Sequence, residues 1–207
     1  LGTQANPWES MSKALSSLNN GDILYVGRGI FPVSTTLYAK NIKIIGSGRD
    51  NTFVDVTSTP GAYAIYFWTD DFSTSPIEIS GITFKGNVTG ARCLYIWRKN
   101  NPYIHDCSFL DFLTSGVVFG NSTPVTTWAT GARFENNIVT NCAPFNNMNS
   151  ASIHIIGQKN YKIINNQAIN PKRNTAMPGA LIKFNYTQGG LVEYNNLEVT
   201  DNNDGAG

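Results

Sequence analysis

Charge is scarce in this chain. Only 14% of its 207 residues are Asp, Glu, Lys or Arg, and their near balance leaves a formal charge of +1. No global field therefore recruits nucleic acid. With 41% hydrophobic and 12% aromatic residues, the chain is too apolar and too weakly charged to be disordered. Asn, Thr, Gly and Ser stand where a helical bundle would carry Ala, Glu, Lys and Leu, so that class is disfavoured too. No apolar run approaches the roughly 18 residues of a membrane span. Histidines number two and cysteines three. An odd count forbids a complete disulfide framework, and Cys93, Cys107 and Cys142 lack metal-ligand spacing, so each reads as a small buried hydrophobe. No secretory leader is visible, but the chain opens on Leu1 rather than Met, which fits removal of an N-terminal segment. The triplets Asn87-Val-Thr, Asn121-Ser-Thr and Asn185-Tyr-Thr match a glycosylation acceptor, a pattern that arises easily by chance in an Asn- and Thr-rich chain.

What the chain has instead is repetition. One family of segments reads IEISGITF (77–84), YIHDCSF (103–109), RFENNIV (133–139) and KIINNQA (162–168). Aligned on Gly81, Asp106, Asn136 and Asn165, they recur at steps of 25, 30 and 29 residues. LVEYNNLEV (191–199) is a fifth copy that fits this alignment one residue out of register. Between these copies lies a second family: IYFW (65–68), LYIW (94–97), VVFG (117–120), IHII (153–156) and IKFN (182–185). Its first and third positions are apolar in all five copies, and the alternate positions are mixed. This period of two marks strands with one face inward and the other free to vary.

Strands that recur at this spacing without helices between them suit a parallel β-helix. Each turn of chain adds one rung per sheet, about 4.8 Å above the last, so equivalent positions form columns and stacking builds the core. A many-stranded sandwich would not need columns in such register. Asn tolerates the left-handed bends that a solenoid requires, and stacked Asp106, Asn136 and Asn165 are expected to form a side-chain ladder. Trp8, Met11, Leu15 and Leu18 have helical spacing instead, with Asn6 as cap before Pro7 and Asn20-Gly21 as terminator. A helix over about 7–19 would cover the first coil and its unpaired strand edges, with coils over about 22–200.

This helix, followed by GDILYVGRGIF, KNIKIIGSGRDNT and iterated FENNIVTN and IINNQAIN copies, resembles the pectate-lyase-like superfamily of right-handed parallel β-helices. The superfamily includes polysaccharide lyases, glycoside hydrolases, epimerases and phage tailspikes. The resemblance spans nearly the whole chain and implies an all-β fold with a short N-terminal capping helix, in a single domain over 1–207. The calcium-and-arginine motif of the pectate lyases themselves has no local match. The end at TDNNDGAG, soon after a coil, is expected to be covered by further chain or by another subunit, as in a homotrimer.

Chemistry is expected on the outer columns. Adjacent rungs would set His105 beside Glu135 and Arg133 beside Lys162, about 5 Å apart at Cβ. Stacked Arg133 and Lys162 are relieved by an anion, such as the carboxylate of an acidic sugar. Neutralising that carboxylate acidifies the adjacent C–H, and His105, oriented by Glu135, is a candidate base. Glu135 and Glu193 are an alternative hydrolytic pair, about 10 Å apart if two rungs separate them. Solvated cross-rung pairing is the plain alternative. Asp70, Asp71 and Asp111 offer oxygens suited to Ca2+, although a loop turn also explains Asp70 and Asp71.

The second family suggests a binding surface. Tyr66 over Tyr95 and Trp68 over Trp97 should stack on the outside of the coil, where flat rings suit sugars. Arg98, His154 and Lys183 would bond hydroxyls or carboxylates. A covering loop or a subunit contact would explain the same rings. The expected function is an extracellular carbohydrate-active β-helix that binds and cleaves a polysaccharide, with uronate-containing chains among the candidate substrates. The alternative is a non-catalytic glycan- or receptor-binding module of a virion surface or an adhesin.

Overall fold

The computed structural model describes residues 2–57, 63–67, 76–87, 92–121, 127–143, 151–172 and 180–201. Three parallel sheets run along the molecule, and the chain visits them in turn, coil after coil. The first holds seven strands, from Ile23–Val26 through Glu78–Ser80, Tyr103–His105, Arg133–Glu135 and Lys162–Ile164 to Leu191–Glu193. The second also holds seven, from Gly29–Pro32 to Asn196–Asp201. The third holds six: Leu37–Tyr38, Tyr63–Phe67, Arg92–Trp97, Val117–Gly120, Ala151–Ile156 and Ala180–Asn185. Each strand pairs in parallel with its equivalent one coil away, which makes the fold a parallel β-helix.

The inward columns follow the period of two. Ile65, Leu94, Val117, Ile153 and Ile182 pair in one register, and Phe67, Ile96, Phe119, Ile155 and Phe184 in the same strands. All but the last rung are buried, because each coil covers the one before. Phe84 stacks on Phe109 at 5.4 Å inside the second sheet, and Phe134 of the first sheet touches both Phe109 and Phe119. The three sheets thus share one core. Cys93, Cys107 and Cys142 are free thiols within it, and burial pushes Cys107 and Cys142 up to about 12.

The corner between the first and second sheets is a single left-handed residue. Gly81, Asp106, Asn136, Asn165 and Tyr194 occupy it, all with φ between 53° and 66°. Gly and Asn tolerate this region best, which explains the Asn enrichment. The buried amide ladder, however, is one residue further on. Asn137, Asn166 and Asn195 turn inward, and each Nδ2 donates to a carbonyl of the preceding coil: Ile104, Phe134 and Ile163 at 3.1, 2.8 and 2.7 Å. Each Oδ1 accepts the backbone N–H one coil back, from Cys107, Asn137 and Asn166. The fifth copy is therefore in register, with Tyr194 at the left-handed position, since Lys162, Ile163 and Ile164 pair with Leu191, Val192 and Glu193. Of the expected ladder, one exposed bond exists, Asn165 Nδ2 to Asn136 Oδ1 at 2.6 Å.

The N-terminal helix spans Met11–Ser17, shorter than the expected 7–19. Ser10, not Asn6, is its cap and accepts from the Lys13 N–H. Residues 3–6 form a separate turn closed by Thr3 and Asn6. Met11, Ala14, Leu15 and Leu18 are buried with Leu24 and Leu37 of the first coil, so the apolar face of the helix lies on that end of the core.

Candidate functional site

The outer face of the third sheet carries an aromatic cluster. Tyr66 and Tyr95 pair on adjacent rungs, with ring centroids 5.0 Å apart and planes at 78°. The rings meet edge to face rather than stacking as expected, the arrangement that brings a ring's positive edge onto its neighbour's negative face. Tyr63 joins both, at 5.0 Å from Tyr66 and 5.1 Å from Tyr95, and Tyr38 lies 5.8 Å from Tyr66. Tyr95 and Trp97 are stacked at 5.8 Å. Trp68 lies outside the described residues.

Gly120 makes room for this arrangement. A Cβ there would come within 3.0 Å of Trp97 Cε3 and of Tyr95 Cε1 and Cζ, so the rings lean over a position where the chain has no side chain. Burial and the neighbouring tyrosines raise the Tyr95 hydroxyl pKa, keeping it a neutral donor. Tyr38, 67% exposed, forms one edge of the cluster, and Tyr63, Tyr66, Tyr95 and Trp97 are half-buried.

Basic groups border the rings. Arg92 is exposed, donates from Nη1 to the Tyr63 hydroxyl at 2.6 Å and lies over that ring at 5.3 Å. Its Nε donates to Thr114 Oγ1. Arg98, at a left-handed position, lies over Trp97 at 5.4 Å. Lys183 follows His154 in the same outward column. Among the described residues, the six strands of this sheet contain no Asp or Glu.

The column does not stay open along its length. Val118 and His154, which continue it beyond Tyr95, are each 6% exposed. His154 Nε2 lies 2.8 Å from Asn185 Oδ1, and burial holds the imidazole below its usual pKa. His154 is therefore a buried neutral histidine and not a surface ligand group. A period-two reading assigns its direction correctly but cannot sense what covers it.

The first sheet holds the expected charged residues in the expected register. His105 pairs with Glu135 and Arg133 with Lys162. The side chains choose other partners. Arg133 grips Glu135 from within its own strand, Nε to Oε1 at 2.9 Å and Nη2 to Oε2 at 2.8 Å. Tyr103 adds a hydroxyl donor to Glu135 at 3.1 Å, and Arg133 lies 4.0 Å over the Tyr103 ring. These contacts, the Arg133 bonds foremost, hold the Glu135 carboxyl below its usual range.

His105 is oriented by Asp106 at Nδ1 (2.7 Å) and Glu78 at Nε2 (3.3 Å), not by Glu135. Glu78 also accepts from Lys43 at 2.7 Å, the main cause of its lowered pKa. Arg133 is thus neutralised by a neighbouring carboxylate rather than left to seek one on a ligand. Residues i and i+2 share a strand face, so a bidentate in-strand pair outcompetes the cross-rung neighbour. Glu193 stands two rungs from Glu135 through Ile164, about 10 Å away.

The charged quartet and the aromatic cluster lie on different sheets, so their strands do not form one catalytic surface. Asp70 and Asp71 are outside the described residues. Asp111 accepts from Asn141 Nδ2 at 2.7 Å, and among the described residues no three His, Cys, Asp or Glu side chains converge as a metal site. The Asn121 amide is buried and donates to the Thr127 and Gly157 carbonyls, while Asn87 donates to the Thr57 carbonyl. Both amides are occupied in the fold. No helix is long and apolar enough to cross a membrane among the described residues.

Tyr38, Tyr63 and Arg92 belong to this aromatic cluster and its border, and sequence reasoning missed them. Their signal was present: Tyr38 follows Leu37 as Tyr66 follows Ile65, and Tyr63 precedes Arg92 by the same 29 residues that separate Tyr66 from Tyr95.

Neither a protein-family model nor a curated protein matches the chain. Solved structures do. A protein of Geobacillus virus E2, ORF18, superposes with a TM-score of 0.56 at 14% identity over 90% of this chain and 46% of its own. A pectin methylesterase in complex with a hexasaccharide gives 0.57 at 12% identity, over 93% and 65%. An alginate lyase from Paenibacillus sp. str. FPU-7 gives 0.53 at 14%, over 89% and 72%. The chain spans about half of the viral structure and just under two thirds of the esterase. At such identities the likeness is one of fold, and it puts the chain among the right-handed parallel β-helix proteins.

Proposed function

We propose that this chain is a carbohydrate-binding β-helix and that the third sheet's outer face holds an extended acidic polysaccharide. One observation carries the reading. Five rings, Tyr38, Tyr63, Tyr66, Tyr95 and Trp97, form a continuous cluster bordered by Arg92 and Arg98, with no carboxylate among the sheet's described strands. Ring faces accept the C–H faces of sugars, and phenol and guanidinium groups bond hydroxyls and carboxylates. A face with basic groups and no acids favours uronates over neutral chains. The site of action in this proposal is extracellular or on a virion surface. The pectin methylesterase and the alginate lyase support a glycan ligand by analogy of fold.

Cleavage is a second reading, favoured by one observation: His105 sits between two carboxylates and against Tyr103, at 4.1 Å between ring centroids. A histidine so held can exchange a proton with a ligand only by leaving one of those partners. Binding without turnover, as in a tail or adhesin module, therefore fits the geometry better. Incubation with uronate-containing and neutral polysaccharides separates the readings. Binding to uronate chains with neither unsaturated-uronate absorbance nor new reducing ends is expected. Either product signal, abolished in His105→Ala, would establish cleavage.

A further inference from the structure

The left-handed corner between the first and second sheets carries a second polar site, open to solvent. A cavity of about 350 Å³ opens there, lined by Arg49, Asp106, Asn136, Asn165, Gln167 and Tyr194 among others. It is built from three columns. The corner column supplies Asp106, Asn136, Asn165 and Tyr194 on successive coils, over about 14 Å for three rungs. Gln167 comes from the start of the second sheet's strand. Arg49 arrives from a bend 87 residues upstream and donates from Nη1 to the Asn136 carbonyl at 3.2 Å, walling the cavity at one end.

Left-handed geometry alone explains why Asn occupies two of these corners, so the amides by themselves indicate nothing beyond the fold. Tyr194 is different. A tyrosine at φ 55° is uncommon and gains no local bond from its side chain there. Tyr194 is 82% exposed, on the last described coil of the corner column.

In this cavity both donors and acceptors remain. The Asn165-to-Asn136 bond uses one Nδ2 and one Oδ1, which leaves Asn136 Nδ2 as a donor and Asn165 Oδ1 as an acceptor facing solvent. Gln167 adds an amide of its own. One guanidinium and one carboxylate, Arg49 and Asp106, balance in charge. Alternating donors and acceptors without net charge, ending on a flat ring, match the hydroxyls of a neutral sugar rather than an anion or a cation.

We infer that this corner is a second glycan-binding site, taking a neutral hexose oligosaccharide of two or three rings. It uses no residue of the third sheet and does not rest on the acidic-polysaccharide reading of that face. The variants Tyr194→Asn, Gln167→Ala and Arg92→Ala test both together by titration calorimetry, with maltotriose and cellotriose as neutral probes and trigalacturonate as the acidic one. Asn suits the left-handed backbone at 194, and far-UV circular dichroism confirms that each variant folds. The expected result is binding of a neutral trisaccharide that weakens about tenfold in Tyr194→Asn and in Gln167→Ala, the scale of one lost ring or bidentate amide, and is unchanged in Arg92→Ala. Failure of both neutral probes to bind at millimolar concentration would overturn the inference. So would neutral binding that survives both corner variants or is lost in Arg92→Ala. Trigalacturonate binding reports on the third sheet alone, so the two readings fail separately.

Discussion

Tyr66 and Tyr95 meet edge to face on adjacent rungs, with ring centroids 5.0 Å apart and planes at 78°. Rungs spaced about 4.8 Å apart leave too much room for two phenol rings to stack face to face without tilting. The rings instead turn until edge meets face, and Tyr63 fills the angle between them. The result is a ridged aromatic surface, held in shape by its own contacts before any ligand arrives. Such pre-organisation lowers the ordering cost of binding.

Gly120 is the test of that shape. Its backbone is outside the left-handed region, so alanine is conformationally acceptable, but the new Cβ would sit 3.0 Å from Tyr95 and Trp97. Gly120→Ala should displace both rings by a few tenths of an ångström. Near-UV circular dichroism should change while far-UV spectra do not, and affinity for a polyuronate should fall about fivefold, the equivalent of about 1 kcal/mol. Unchanged near-UV signal and affinity would show that the ring packing does not shape the surface.

The two kinds of corner asparagine should differ sharply in their contribution to stability. Asn166→Leu strands the Asn137 N–H and the Phe134 carbonyl, both bonded by Asn166 in the core, at about 1–3 kcal/mol for each buried group. Asn165→Gly removes only an exposed amide at a backbone angle that glycine accepts. Chemical denaturation should show a loss of about 3 kcal/mol or more for the first and under about 1 kcal/mol for the second.

Much of this architecture was legible in the residues. The apolar first and third positions of the second repeat family define the inward columns, and the structure pairs them as the repeats align. What misled was the choice of anchor in the corner. Aligning on Asp106, Asn136 and Asn165 follows the more exposed asparagine, whereas the ladder runs through the second one, where Cys107 breaks the pattern. Register also says which backbones are neighbours without saying which side chains bond. Arg133 lies beside Lys162 and His105 beside Glu135 as expected, yet Arg133 takes Glu135 and His105 takes Asp106 and Glu78. Rotamers and short in-strand reach decide that, and neither leaves a periodic trace. His154 stands in the outward column yet is buried there, and periodicity does not report burial on an outer face.

Stability should depend on pH through two carboxylates and one histidine. Glu78 and Glu135 have folded pKa values below the ordinary 4.5, held there chiefly by Lys43 and Arg133. Their contribution is complete above the ordinary carboxylate range and is lost as pH falls through the lowered folded values. His154 is held below 6.5 by burial, so the unfolded chain takes up its proton first and stability declines as pH drops from 6.5 towards the folded value. Thermal midpoints measured against pH should show both limbs. His154→Gln should flatten the upper one, and Glu78→Gln with Glu135→Gln the lower.

Affinity of the third-sheet face for a polyuronate is the most direct measure of the account. Polygalacturonate and alginate are titrated against the native chain and against Tyr66→Ala, Trp97→Ala and Arg92→Ala, each first shown to retain the β-sheet spectrum. The account predicts binding by the native chain to at least one of the two, weakened about tenfold by loss of either ring and weakened further at high salt in the native chain than in Arg92→Ala. Absence of binding to both, or affinity in all three variants equal to that of the native chain, would contradict it.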